Sequence, residues 1–301
     1  MFIFISIKMT SFNEKIFNVV KAMDTATTNP FAGKYVSILG DYISSYPDYD
    51  TVGTPTTVLH GFDTVSKKWW AQLITKLGAK LCVNCSCAGM TAARTTDVSA
   101  AYKHFGAQLH RKPGTTYTEL DGKTTTPTER IDPDIIFVYL GANDYNVSKV
   151  ELGDYSDDVF KLQIPDELTD EWYADLSKAY QVVLMDIIKS YPNADVYCIS
   201  PQTMSQYSGG NYPFADNKAS TPWSMPEFEE LIRKLCIKFA TRQISLSHYG
   251  IRGDDNFIGG DEDDFLVDKS RLSPEAHTMI AKICYSKMTK FSLTWNTRNE
   301  V

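Results

Sequence analysis

Four short blocks of this 301-residue chain gather the side chains best suited to chemistry: Gly40-Asp41-Tyr42, the run from Asn84 to Gly89, Gly141-Ala142-Asn143-Asp144, and Asp268-Lys269-Ser270-Arg271. An amide, three carboxylates, a phenol and a guanidinium in one pocket would recognise a sugar or a carboxylate by hydrogen bonding. They are poorly chosen for moving a proton. Arginine stays protonated at any ordinary pH, so Arg271 cannot act as a general base. A phenol with a reference pKa of about 10 is a weak nucleophile unless its surroundings perturb it, as a neighbouring guanidinium would. Arg271 can instead pair with Asp268, three residues earlier, and stack on the ring of Tyr42.

These blocks need elements to bring them together. Tyr35 to Leu39 is a short β-branched and apolar run that reads as a buried strand, and Ala79 to Val83 reads as a second. Between them, Asp63 or Thr64 is the expected cap of a helix carrying Val65, Trp69, Leu73 and Leu77, with Gly78 at its end. Ile135 to Leu140 is continuously apolar, as expected of a central parallel strand covered on both faces. Thr169 is the expected cap of the next helix, which presents Trp172, Leu176, Ala179, Val183 and Ile187 and closes at Tyr191-Pro192. Asp195 to Ile199 is a further strand. Ser224 with Pro226 and Glu227 opens a helix bearing Phe228, Leu231, Leu235 and Phe239, and Ser273-Pro274-Glu275 opens the last.

Strands alternating with helices predict an α/β fold: a three-layer, doubly wound parallel sheet whose ligands sit at strand carboxyl ends. The chemistry-bearing blocks fall at such ends. No repeat or linker divides the chain, so residues 31–301 are expected to form a single domain. Residues 92–130 read as an insertion made of loops, from Lys112-Pro113-Gly114 and the Thr-rich stretch Thr124 to Thr128. Residues 1–30 read as an arm or helix. Its opening, Met1 to Ile7, is apolar but stops at Lys8, too short to cross a bilayer and without the basic leader of an export signal. It is expected to pack on this domain or to contact another chain.

The formal net charge of −7 provides no global positive field for phosphate backbones, so nucleic acid is not an expected partner. Six cysteines occur. Cys82, Cys85 and Cys87 are clustered, yet no second cysteine or histidine pair follows at zinc-site spacing, so buried free thiols are expected, with no metal and no cofactor. Reduced thiols fit a cytosolic or intracellularly assembled protein, a virion included.

In order and placement the four blocks resemble the SGNH hydrolases, the GDSL-type esterases and lipases, from about Tyr35 to Ala281. Supporting segments are Trp69-Trp70, Val83-Asn84-Cys85-Ser86 running to Gly89, Pro133-Asp134-Ile135-Ile136 before Gly141, and Leu272-Ser273-Pro274-Glu275-Ala276-His277. The resemblance implies a flavodoxin-like three-layer fold and acyl-ester or acetylated-glycan substrates. It assigns the nucleophile position to Tyr42, oxyanion donors to Gly89 and Asn143, the orienting carboxylate to Asp268 and the base position to Arg271. Asp41 and Asp144 would contribute to ligand binding.

Since the family's serine and histidine are both replaced, the expected function is that of an inactive pseudo-esterase serving as a binding or structural module. Tyr42 and Arg271 would then either recognise a ligand or plug a disused cleft. One alternative is an active esterase or carbohydrate O-deacetylase with a rearranged site; another is a viral tail or surface component. His277 reads as a structural residue of the last helix, Ser44 and Ser45 as turn residues, and His60, His104, His110 and His248 as surface or packing residues.

Overall fold

The computed structural model of the chain describes residues 29–46, 49–51, 54–55, 64–87, 89–93, 108–144, 150–161, 169–200, 203–204, 206–207, 210–211, 223–246, 252–253 and 272–298. The amino-terminal arm's apolar opening, His60, His104, His248, Asp268 and Arg271 lie outside the described residues.

Five strands make the central sheet: β1 Tyr35–Gly40, β2 Lys80–Asn84, β3 Ile135–Tyr139, β4 Asp195–Ser200 and β5 Arg242–Ser245. Their spatial order is β5-β4-β3-β1-β2, and every pairing is parallel. The expected doubly wound parallel sheet is therefore present, with the strand order of flavodoxin-like folds and its reversal point between β1 and β3. Side chains alternate along β3: Ile136 and Val138 join one core, while Ile135, Phe137 and Tyr139 join the other. All are fully buried, which explains the continuous apolar run, and each such burial stabilises the fold by about 1.5–3 kcal/mol.

Helices α1 Trp69–Leu77 and α4 Pro274–Arg298 cover one face, packing against each other, while α2 Leu176–Ser190 and α3 Met225–Lys238 cover the other. The capping box at Ser224 and Glu227 forms as expected, with each side chain bonding the other's backbone N–H. Ser273 opens α4, its hydroxyl accepting from Ala276 N–H at 3.2 Å.

Two helix starts differ from expectation. Thr64 precedes a separate 3₁₀ turn, Val65–Lys67, and makes no side-chain cap bond. Lys68 is extended (φ −70°, ψ 141°), so α1 begins only at Trp69. Thr169 likewise precedes a 3₁₀ turn, Asp170–Tyr173, without a side-chain cap bond. The cap of α2 is Asp175, which accepts from Lys178 N–H at 2.8 Å. Its first amides are diverted to tertiary partners, Leu176 N–H to the Glu151 carbonyl and Ser177 N–H to that of Leu152.

The segment from 108 to 134 is also more ordered than its loop-rich composition suggests. Tyr117–Thr118 pairs antiparallel with Thr124–Thr125, and Arg111 bridges Ile131 at the base of this hairpin. Arg111 is buried and donates to the Leu81 and Cys82 carbonyls of the edge strand β2 and to Glu119. Where β1 meets β2 the register jumps, Val36 opposing Leu81 but Ile38 opposing Asn84, which is a β-bulge on β2. Among the described residues, no helix is long and apolar enough to cross a membrane.

Candidate active site

The reversal of strand order puts the carboxyl ends of β1 and β3 side by side, and both end in a glycine with steric work to do. A Cβ on Gly40 would lie 2.8 Å from Ser44 Oγ, so a tight turn can follow β1 only from glycine. Gly141, just past β3, has φ +118°, and a Cβ there would run into the Phe228 ring.

The turn after β1 carries Tyr42. The Asp41 carbonyl accepts from the N–H groups of Ser44 and Ser45, both at 3.0 Å, and the Asp41 carboxylate accepts from Ile43 N–H through Oδ1 at 2.9 Å. Ser45 Oγ donates back to the Tyr42 carbonyl at 2.9 Å, and Lys68 Nζ lies 3.5 Å from the same oxygen. Tyr42 is half-buried against the α1/α4 core. Ser44 is completely buried, its hydroxyl accepting from Trp69 Nε1–H at 3.1 Å and its carbonyl from Asn84 Nδ2–H at 2.8 Å. Both serines are committed to the turn.

Opposite stands the segment that follows β2. Gly89 is exposed with φ +75°, a backbone conformation that favours glycine. The next residues are gripped from β3: Asn143 Nδ2–H donates to the Met90 carbonyl at 3.0 Å, and Asp144 accepts from Ala92 N–H at 3.0 Å and Ala93 N–H at 2.7 Å. Asn143 thus spends one of its two amide hydrogens on the loop that bears Gly89. Tyr42, Gly89, Asn143, Asp41 and Asp144 therefore all sit at the carboxyl ends of β1, β2 and β3 or in the loops that follow them.

The electrostatics of the floor are unusual. Burial pushes the Asp41 carboxyl up to about 7, against the lowering effect of the Ile43 N–H, and the nearby Asp144 charge adds to the rise. Burial likewise pushes Asp144 up to about 6, while the Ala92 and Ala93 N–H groups restrain it. Asp41 Oδ2 is buried without a hydrogen-bond partner.

The sequence reads His277 as a structural residue of the last helix, and the structure gives that role a partner the sequence does not reveal. Trp69 N–H, in the first turn of α1, donates to Nδ1 of His277 at 3.1 Å. His277 is fully buried, and burial followed by the Lys68 charge holds its pKa well below the usual imidazole value. It is neutral and serves as a helix cap supplied from a distant element. His110 pairs with the Tyr191 hydroxyl at 3.0 Å. Cys82, Cys85 and Cys87 are free thiols, as are the other three cysteines, and burial raises Cys85 to about 12 and Cys87 to about 11.

A parallel sheet in this order, with glycine-edged loops converging on an asparagine at its reversal point, is the framework of the SGNH-type α/β hydrolases. The sequence pattern of the GDSL-like lipase/acylhydrolase family matches residues 34–210, more than half of the chain, and the protein belongs to that family.

Solved structures agree on the fold. A Bacteroides ovatus protein named as a GDSL-like lipase is 20% identical, with a TM-score of 0.54 over 86% of this chain and 99% of that one. A Bacteroides uniformis protein named in the same way is 19% identical, with a TM-score of 0.52 over 86% and 96%. Est24, a carbohydrate acetylesterase from Sinorhizobium meliloti, is 12% identical, with a TM-score of 0.51 over 86% and 99%. No curated protein sequence matches the chain significantly.

Proposed function

We propose that this GDSL-family protein is a pseudo-esterase: residues 31–301 act as one domain that retains the family's cleft, has lost ester hydrolysis, and binds a glycan or acyl-ester ligand there. The observation that carries the reading is the turn after β1. The nucleophile position is Tyr42, and the two hydroxyls nearest in sequence are buried, Ser44 accepting from the Trp69 indole and Ser45 donating to the Tyr42 carbonyl. Neither hydroxyl is placed to replace a nucleophile, and a displacement of even about 1 Å is costly to such a reaction. With Arg271 permanently cationic at the base position, nothing assigned to the site accepts the proton of an attacking hydroxyl. On this reading Asp268 serves Arg271 as its charge partner, while Asp41 and Asp144, expected from the sequence to bind ligand, are completely buried and instead hold the loops around the site through the N–H groups of Ile43, Ala92 and Ala93.

The test is incubation with aryl acetates and acetylated sugars. No turnover is expected; hydrolysis at ordinary esterase rates that disappears in Asn143→Ala overturns the proposal.

Asn143 still reaches across to the loop of Gly89, donating to the Met90 carbonyl at 3.0 Å, and that favours a second reading, an esterase or carbohydrate O-deacetylase with a rearranged site. An organophosphonate ester separates the two. Covalent labelling of one residue supports the second reading, and absence of labelling alongside a labelled active relative supports the first.

A further inference from the structure

The turn after β1 buries a carboxyl group with one oxygen left over. Asp41 is completely buried, and while Oδ1 takes the Ile43 N–H, Oδ2 has no partner. Both ionisation states leave that oxygen unsatisfied, but the charged state is far more costly, because a whole charge is then kept from water. We propose that the Asp41–Ser45 turn is a pH-operated element of the cleft wall, closed while Asp41 carries a proton and released when Asp41 gives that proton to solvent.

The groups that face Asp41 determine how the device works. From the end of β3, Asp144 raises the cost of ionisation. It is itself fixed by the Ala92 and Ala93 N–H groups, so it cannot swing away. From the residue before α1, Lys68 favours the Asp41 anion, but less strongly than burial opposes it. From the segment after β2, Cys87 feels Asp41 as a charge that raises its own thiol. From α4, neutral His277 lies within the field of Lys68. None of these groups hydrogen-bonds Oδ2. The Ile43 N–H and Lys68 relieve an ionised Asp41 in part, and water completes the relief if the turn, which also carries Tyr42, opens. The inference stands apart from whether the cleft is catalytic.

The experiment is hydrogen–deuterium exchange on the full chain, wild type against Asp41→Asn, following peptides that contain residues 41–46. After correction for the intrinsic chemical rate, wild-type exchange in this turn should rise by up to about tenfold per pH unit from about pH 4, where an exposed aspartate ionises, toward about pH 7, where the buried one does, and level off above it, as opening linked to loss of one proton requires. Asp41→Asn should show no such rise. A flat wild-type profile, or the same rise in Asp41→Asn, overturns the proposal.

Should Asp41→Asn fail to fold, the wild-type exchange profile decides, with peptides of α3 as the internal control: a pH-dependent rise confined to residues 41–46 supports the proposal, and a profile there no steeper than in α3 overturns it.

Discussion

Trp69 and His277 are 208 residues apart in the chain, yet the backbone N–H of one donates to the ring nitrogen of the other at 3.1 Å. This bond ties the first turn of α1 to α4, and so ties the turn bearing Tyr42, through the Trp69–Ser44 contact, to the helix that follows the base position.

Replacing His277 with alanine removes a helix cap and leaves a small cavity, and should destabilise the protein by roughly 2 kcal/mol or more. The pH dependence carries a clear sign. A histidine whose folded pKa is depressed contributes stability that is full above the unfolded value of about 6.5 and is lost as pH falls below it. Urea denaturation of wild type and His277→Ala should therefore differ most near neutral pH and converge in acid. A gap that does not shrink in acid refutes the neutral-cap role.

Asp41 has the opposite sign. Its folded pKa is raised to about 7, so its stabilising contribution belongs to acid and falls as pH climbs from about 4 toward 7. Asp41→Asn should consequently gain stability over wild type at pH 8 and little at pH 4, measured by thermal unfolding. An equal change at both pH values contradicts the assignment.

Gly141→Ala combines an unfavourable φ with a collision against the Phe228 ring. The expected cost is about 3 kcal/mol or more. Truncating Phe228 as well should recover part of it, so a double-mutant cycle should give a favourable coupling; strict additivity would show that the ring is not the obstacle.

Pairing Tyr42→Ser with Arg271→His rebuilds the family's nucleophile and base on a cleft that keeps Gly89 and Asn143. Detectable hydrolysis of an aryl acetate is expected from the double variant and from neither single one. A folded double variant without activity would mean that the oxyanion donors are no longer aligned.

Arg111→Met removes the guanidinium that holds Glu119 and occupies the Leu81 and Cys82 carbonyls. Glu119 then keeps only the Thr125 hydroxyl and the Leu81 and Cys82 carbonyls lose their donor, which should cost about 1–3 kcal/mol, and the uncovered edge of β2 should promote self-association visible by light scattering. A variant with the association state and stability of the wild type would show that the hairpin is held by other means.

Much of this was legible in the sequence, for local reasons. The apolar run of β3, the Ser224 and Glu227 capping box and the glycine-edged blocks are each written within a few residues. The first turn of α1 was misjudged because its cap is not local: His277 supplies it from α4, and Lys68 stays extended. The start of α2 was misjudged because the carbonyls of Glu151 and Leu152 divert its amides. In the 108–134 segment, Asp121-Gly122 between Thr-rich stretches is a hairpin signal that the loop-like composition hid. The burial that raises Asp41 and Asp144 could not be seen either, since carboxylates beside glycines usually belong to solvent-facing turns.

The extra residue of β2 opposite Ser37 has a consequence for parity. Side chains on a strand point alternately up and down, so one inserted residue reverses the orientation of everything after it. Asn84 follows that shift and donates to the Ser44 carbonyl. Deleting a single residue between Leu81 and Asn84 would send the amide to the opposite side of the sheet and leave the β1 turn without its neighbour, although every side chain of the turn itself would be unchanged.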